Sequence, residues 1–273
     1  MILAHTCRLS LVAAALCLAA CSPKSPTETT ATSAKPASAA APVVMELGPT
    51  LLAYHWRLES AADSAGQAIA ALFPGPENRL GLEFSEGQIG VTGGCNRIGA
   101  GYQLVGGSQL QIGLGRSTMM ACPPPLAAAD AAIANFLTGT VQAELQGDAG
   151  APALRLAAAD GSVLDFKGTP TPETRFGGPG TRAFLEVSPE PCEPPGGAPA
   201  CLRVRDRNFD EQGLPSGDPG AWRALPAGIE GYSLTPGQQQ VVRVKRFEAP
   251  AAAGGEPTVH FIFDMVVESR TVQ

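Results

Sequence analysis

The sequence predicts an α+β chain, mostly antiparallel β: a β-meander or half-barrel with one helix, followed by a second small β-rich domain. Three observations predict it. Apolar and polar residues alternate over short runs such as Leu80, Leu82 and Phe84, the period of a half-buried strand. Tight-turn residues separate the runs, at Ser85-Glu86-Gly87, Gly106-Gly107-Ser108, Gly147-Asp148 and Asp160-Gly161. A single helical spacing follows Pro123-Pro124-Pro125, where Leu126, Ile133, Phe136 and Leu137 share a face.

Residues 1–20 read as a secretory signal peptide. Arg8 precedes an apolar run at 9–18, and small residues follow. The run is shorter than the ~20 residues a helix needs to cross a bilayer. Its end, Leu18-Ala19-Ala20-Cys21, resembles the bacterial lipobox. The resemblance implies lipidation (palmitate among the acyl chains) at Cys21 after cleavage before it, and anchoring to a membrane by several chains. Ser22, in place of the aspartate that retains such proteins at the inner membrane, implies sorting to the outer membrane, facing the periplasm.

Residues 21–47 are rich in Pro, Ser, Thr and Ala. Such a composition buries too little to offset its ordering entropy, so a disordered tether is expected. The first folded domain is expected at 48–168. A strand is expected over 51–58, with Leu52, Tyr54, Trp56 and Leu58 on one face and His55 on the other. Strands at 79–84 and 88–92 pair through the turn at Gly87. Gly93-Gly94-Cys95-Asn96 makes a turn, and 101–105 with 109–112 forms a further hairpin. The helix ends at Gly139, and strands at 141–145, 153–156 and 163–166 close the domain.

Seven cysteines are encoded. Cys7 and Cys17 leave with the signal and Cys21 takes lipid. Cys95, Cys122, Cys192 and Cys201 remain, an even set for an oxidising compartment. Four cysteines allow three pairings. The nearest-neighbour pairing, Cys95–Cys122 with Cys192–Cys201, keeps each bridge inside one domain. In the chain-entropy model the two loops contribute about 3–4 and about 2–3 kcal/mol. A metal site is the rival reading. Cys-x-x-Cys is absent and the chain past Cys21 keeps only His55 and His260, so no metal and no cofactor are expected.

The order of Trp56, Gly94-Cys95-Asn96, Gly99, Gly101-Tyr102, Leu110, Ile112, Ser117-Thr118-Met119 and Ala121-Cys122 resembles the META domain of the heat-inducible HslJ lipoproteins. The resemblance implies a compact, mostly antiparallel β fold with one helix. It also implies an envelope protein linked with stress response, antibiotic tolerance or secretion. That family has no established catalytic residues, so none are assigned.

Residues 169–180 are rich in Pro, Gly and Thr and are expected to be a linker. A second domain is expected over 181–273. Leu202 and Val204 alternate with Arg203 and Arg205, and Val242 and Val244 with Arg243 and Lys245. In the last strand Val259, Phe261, Phe263, Met265 and Val267 are expected on one face. With Cys192, Cys201, Trp222 and Ile229-Glu230-Gly231-Tyr232, this half resembles a small envelope domain of unknown function that accompanies META domains. If its strands pair, Arg203, Arg205, Arg243 and Lys245, with Arg207 and Arg246, gather on one face. Such a face suits an anionic envelope glycan, unless carboxylates such as Asp206, Asp210 and Glu248 neutralise it.

The formal charge of −6 argues against nucleic acid as a partner. The expected function is a non-enzymatic, membrane-anchored envelope lipoprotein that binds another envelope component or acts under stress. The alternatives are a periplasmic hydrolase using Cys95 or an Asp/Glu pair, and an inhibitor module that fills a partner's groove.

Overall fold

The computed structural model describes residues 45–76, 78–192, 201–249 and 258–272. The expected signal peptide, Cys21 and the tether as far as residue 44 lie outside the described residues.

The first described element is a helix, α1 (Leu47–Ala53), and not a strand. Pro49 sits in its first turn, where a missing N–H costs nothing. Leu51 is fully buried while Leu52 is exposed, so the alternation expected over 51–58 spans two elements. Strand β1 (Tyr54–Ala62) starts where the helix stops, and buries Tyr54, Trp56 and Leu58. Trp56 Nε1 donates to the Leu51 carbonyl at 3.1 Å, tying helix to strand.

Strands β2 (Gly81–Ser85), β3 (Gln88–Thr92), β4 (Ile98–Val105), β5 (Gln109–Ile112) and the two-residue β6 (Arg116–Ser117) come next. Helix α2 (Pro124–Phe136) separates them from β7 (Gly139–Gln146), β8 (Ala153–Ala158) and β9 (Val163–Pro170). The sheet runs β3-β2-β1-β9-β8-β7-β5-β4-β6, and β3 also pairs with β4. That last pairing closes eight strands into a barrel-like ring, where a half-barrel was expected. Every pairing in it is antiparallel. Trp56, Leu110, Leu154, Leu164 and Phe166 fill the ring with α1 and α2 residues such as Leu51 and Ile133. Two α-helices and a 3-10 turn at Ala70–Leu72 therefore belong to this half, where one helix was expected.

The expected linker at 169–180 is largely ordered. Strand β9 runs through Pro170, and a short helix α3 (Pro172–Phe176) follows. The Thr171 side chain accepts from the Thr174 amide at its start, and Gly177, with φ of 74°, closes it. The second sheet follows in the order β12-β11-β10-β13-β14, from β10 (Thr181–Val187), β11 (Leu202–Arg207), β12 (Arg223–Leu225), β13 (Gln238–Ala249) and β14 (Thr258–Thr271). Its core holds Leu185, Val187, Val204, Val242, Val244 and Phe261.

The even alternation expected in β14 is broken. Val242 opposes Val266 and Val244 opposes Phe263, so β14 bulges at Val267 and at Asp264. Each bulge inserts one residue and flips the faces beyond it. Met265 consequently opposes Arg243 on the face away from Phe263, and Val267 falls out of register.

Helix α3 is docked on the second sheet. The Phe176 ring stacks on Phe247 of β13 with centroids 4.9 Å apart, and lies 4.8 Å from His260 of β14. Arg175 reaches Glu230 at 2.7 Å and Lys245 reaches Glu173 at 2.5 Å. Both ion pairs are half-exposed and contribute little; the aromatic stack adds ~0.5–1.5 kcal/mol beyond its buried area. Phe176→Ala is expected to raise protease cleavage within 171–180 about fivefold, read by the rate of appearance of the two fragments. An unchanged rate would show that the stack does not hold the segment.

Candidate functional site: a clamped loop and a basic sheet face

At the corner between β3 and β4 the chain turns through Gly93-Gly94-Cys95-Asn96. Gly93 has φ of 77°, and an added Cβ would run into the Arg79 carbonyl. An added Cβ at Gly94 would fall on Asp130 Oδ1. Both glycines are therefore required by close approach.

Asp130, on α2, is the centre of this corner and is only 7% exposed. Its Oδ1 accepts from the Cys95 amide at 3.1 Å, and its Oδ2 from the Asn96 amide at 2.8 Å and from Asn96 Nδ2 at 3.0 Å. Three charge-assisted donors satisfy the buried carboxylate. Cys95 and Cys122 sit as a disulfide, with Cα atoms 6.1 Å apart. The two sulfurs and the Asp130 carboxylate lie within 4.8 Å of one another, a metal-sized grouping. A bonded sulfur pair has no thiolate to give a cation, and Asp130 is occupied by amides.

Asn96 faces both ways. Its Oδ1 accepts from Thr118 Oγ1 at 3.0 Å and from the Met120 amide at 2.8 Å. Arg97 and Thr118 exchange further bonds: the Arg97 amide donates to Thr118 Oγ1, and the Thr118 amide donates to the Arg97 carbonyl. Strand β6 pairs with Ile98 and Gly99. The loop at 113–121 is thereby held at both sides, yet Leu114 is 92% and Met119 98% exposed.

The model of the META domain matches residues 49–171. That segment is a META domain. The NMR structure of a protein from Burkholderia xenovorans is 25% identical over 50% of this chain and 96% of that one, with a TM-score of 0.39. No curated protein matches. The Gly94-Cys95-Asn96 turn and Cys122 thus belong to the META domain, and Asp130 is the member of that corner which sequence reasoning left unassigned.

His55 also lies in the META domain, on the exposed side of β1. Its hydrogen bond to Glu83, Nδ1 to Oε1 at 3.3 Å, raises its pKa above the ordinary imidazole value and lowers that of Glu83. Both groups are about half-exposed, which marks a surface pair.

The second sheet does gather its cations. Antiparallel partners project to one side, and the registers Glu186–Arg205, Phe184–Arg207, Phe184–Arg243 and Arg182–Lys245 put these residues on the face away from the core. Arg203 is on that face too, two residues from Arg205. Arg246 is not: it opposes Phe261 on the other side. The acids expected to neutralise the face lie elsewhere. Asp206 pairs with Arg223 and Glu248 with Arg246, while Asp210 caps amides of Gln212 and Leu214.

Three other acids do that work. Glu186, 3% exposed in the middle of β10, takes two bonds from Arg205 and one from Arg207 at 2.8–2.9 Å, and Gln239 also donates to it. Asp264, the bulge residue, pairs with Arg243 at 2.6 Å, and Glu173 of α3 pairs with Lys245. Of the four residues expected to meet an anion, only Arg203 lacks a carboxylate partner among the described residues; its guanidinium lies 5.5 Å from the Trp222 ring, which also covers Arg205 at 4.6 Å. Cys192 and Cys201 sit as the second disulfide, with Cα atoms 5.1 Å apart.

Two outcomes follow from these clusters. Asp130→Ala strands the Cys95 and Asn96 amides and should cost about 2–4 kcal/mol in denaturant unfolding, whereas Asp130→Asn, which keeps an acceptor, should cost less. Equal stability of Asp130→Ala and the parent would contradict the clamp. For Glu186, burial pushes the carboxyl up, but the bonds from Arg205 and Arg207 outweigh it and hold it below its usual 4.5. A lowered carboxylate pKa adds stability above the unfolded value and loses it as pH falls through the folded one. Unfolding of the second sheet should therefore become easier below about pH 4.5, and Glu186→Gln should be weaker at neutral pH by about 2 kcal/mol or more, with a flatter acid limb. Parallel pH profiles for the two proteins would remove Glu186 from that role.

Proposed function

We propose that the chain is a non-enzymatic binding lipoprotein of the bacterial envelope, anchored through Cys21 to the periplasmic side of the outer membrane, with a role under envelope stress. The observation that carries the reading is the cysteine inventory. Beyond Cys21 every cysteine has one partner at bridging geometry, Cys95 with Cys122 and Cys192 with Cys201, and none is left over. Paired thiols in both sheets fit an oxidising compartment. Leu18-Ala19-Ala20-Cys21 supplies the route there and the anchor. The META domain supports a place in the envelope.

The hydrolase alternative needs a free Cys95 thiolate with a base beside it. Cys95 is bonded, His55 is taken by Glu83 and His260 lies against Phe176. On the second sheet, Arg203 beside Trp222 is the part of the basic face suited to an anionic envelope glycan. The proposal is tested by feeding bacteria that express the full chain an alkyne-bearing fatty acid and probing its thiols without reductant. The expected result is label on the parent, none on Cys21→Ala, and no thiol reactive with maleimide. Unlabelled parent protein with free thiols in the cytosol would end the reading.

A further inference from the structure

We infer that the loop at 113–121 is a membrane-contact element, and that its occupant is an anionic phospholipid bilayer. Two observations on the loop itself carry it, and a third concerns the reach of the chain before the barrel.

The first is exposure on a loop whose backbone is held. A soluble domain that shows a large apolar side chain in a slack loop can tuck it away. This loop is pinned at Ser117 and Arg116 by β4, at Thr118 and Met120 by Asn96, and at Cys122 by the disulfide. Leu114, Met119 and Met120 nevertheless stand 92%, 98% and 56% exposed. The backbone of the tip is already ordered, so insertion into an apolar phase costs side-chain rotamer freedom but little further backbone entropy, and gains the transfer free energy of the three side chains.

The second is charge. From Gly87 to Ala129 the charged residues are Arg97 and Arg116; Glu86 and Asp130 flank the stretch, and Asp130, 7% exposed, is taken by the Cys95 and Asn96 amides. Both arginines are exposed, and Arg97 neighbours Thr118 while Arg116 lies in β6. Arginines that rim apolar tips meet lipid phosphates as the tips enter the acyl boundary. In a chain of net charge −6 the charged side chains of the 93–97 turn and the 113–121 loop are both positive and both exposed.

The third is reach. Met45 and Leu47 line a surface cleft with Leu104 and Gly107, at the end of β4 opposite the loop. Eight residues of β4 separate the ends by ~25 Å. The chain from Cys21 to Met45 spans at most ~80 Å, so an anchor at Cys21 does not prevent the far end of the barrel from meeting the same membrane. That last step rests on the anchored reading; the first two do not. A groove on a partner protein would also accept Leu114 and Met119, but the exposed Arg97 and Arg116 beside the apolar tips favour the anionic lipid surface.

The test uses the full chain carrying Cys21→Ala, so that no acyl group contributes, sedimented with vesicles of phosphatidylglycerol and phosphatidylethanolamine. Its partner is the same chain with Leu114→Ser, Met119→Ser and Met120→Ser. These positions are exposed, and blocked thiols in both chains report that the corner is intact. The apolar run at 9–18 is common to both, so the difference isolates the loop. The expected result is at least ~10-fold weaker vesicle binding by the triple variant, and weaker parent binding to phosphatidylcholine vesicles or in high salt. Equal binding by the two chains overturns the inference. So does a parent that stays in the supernatant, or a photo-crosslinker at Met119 that captures one protein and no lipid in whole cells. Loss of fatty-acid label from the parent would sink the anchor alone, because this comparison is made without it.

Discussion

The Asp130 carboxylate is the constraint on which the META half depends. It reaches across from α2 and receives the Cys95 and Asn96 amides, which the barrel has no strand to satisfy. A turn that must hand two half-buried amides to a side chain cannot take a larger residue than glycine beside it, and Gly94 leaves room for the carboxylate alone. The disulfide to Cys122 then ties the chain after β6 to the same corner. Asn96 completes the arrangement by bonding inward to Asp130 and outward to Thr118 and Met120. One carboxylate thus fixes the β3–β4 corner, the approach of α2 and the exit of the exposed loop.

The second sheet solves a different problem. Its non-core face carries a row of arginines, which would repel one another if left alone. Glu186 lies at the centre and is shared by Arg205 and Arg207, with Gln239 filling the remaining acceptor capacity. Arg243 is answered by a bulge residue and Lys245 by the docked helix. The face is therefore a neutralised network with Arg203 and Trp222 at one side, and much of its cationic character is spent within the fold. The bulges in the long edge strand β14 serve a second end, since an irregular edge pairs poorly with other chains.

Much of the architecture was legible because alternation and turns are local signals. The hairpins around Gly87 and Gly107, the helix after Pro123 and the strands from 141 to 166 stand where their patterns place them. The misses share a cause: each depends on a partner distant in sequence. Leu52, Tyr54, Trp56 and Leu58 keep an even spacing across a helix–strand junction, and only burial of Leu51 under the barrel separates the two. The faces of β14 flip at bulges that its own alternation does not announce. Asp130 stood alone in an alanine-rich helix, with its donors some 35 residues upstream. A lone acid on a helix face beside Ile133, facing a Gly-Gly-Cys-Asn turn, was the available signal. Glu186 likewise sits between Leu185 and Val187 with partners about 20 residues away. The grouping of Arg203, Arg205, Arg243 and Lys245 was readable from alternation; what neutralises it was not.

Amide hydrogen exchange of the unreduced protein examines the Asp130 corner most directly. The Cys95 and Asn96 amides should exchange as slowly as those of the barrel strands, and the Met120 amide should be protected well beyond an exposed loop. Fast exchange at Cys95 and Asn96, at rates expected for a surface turn, would show that the carboxylate does not hold the corner.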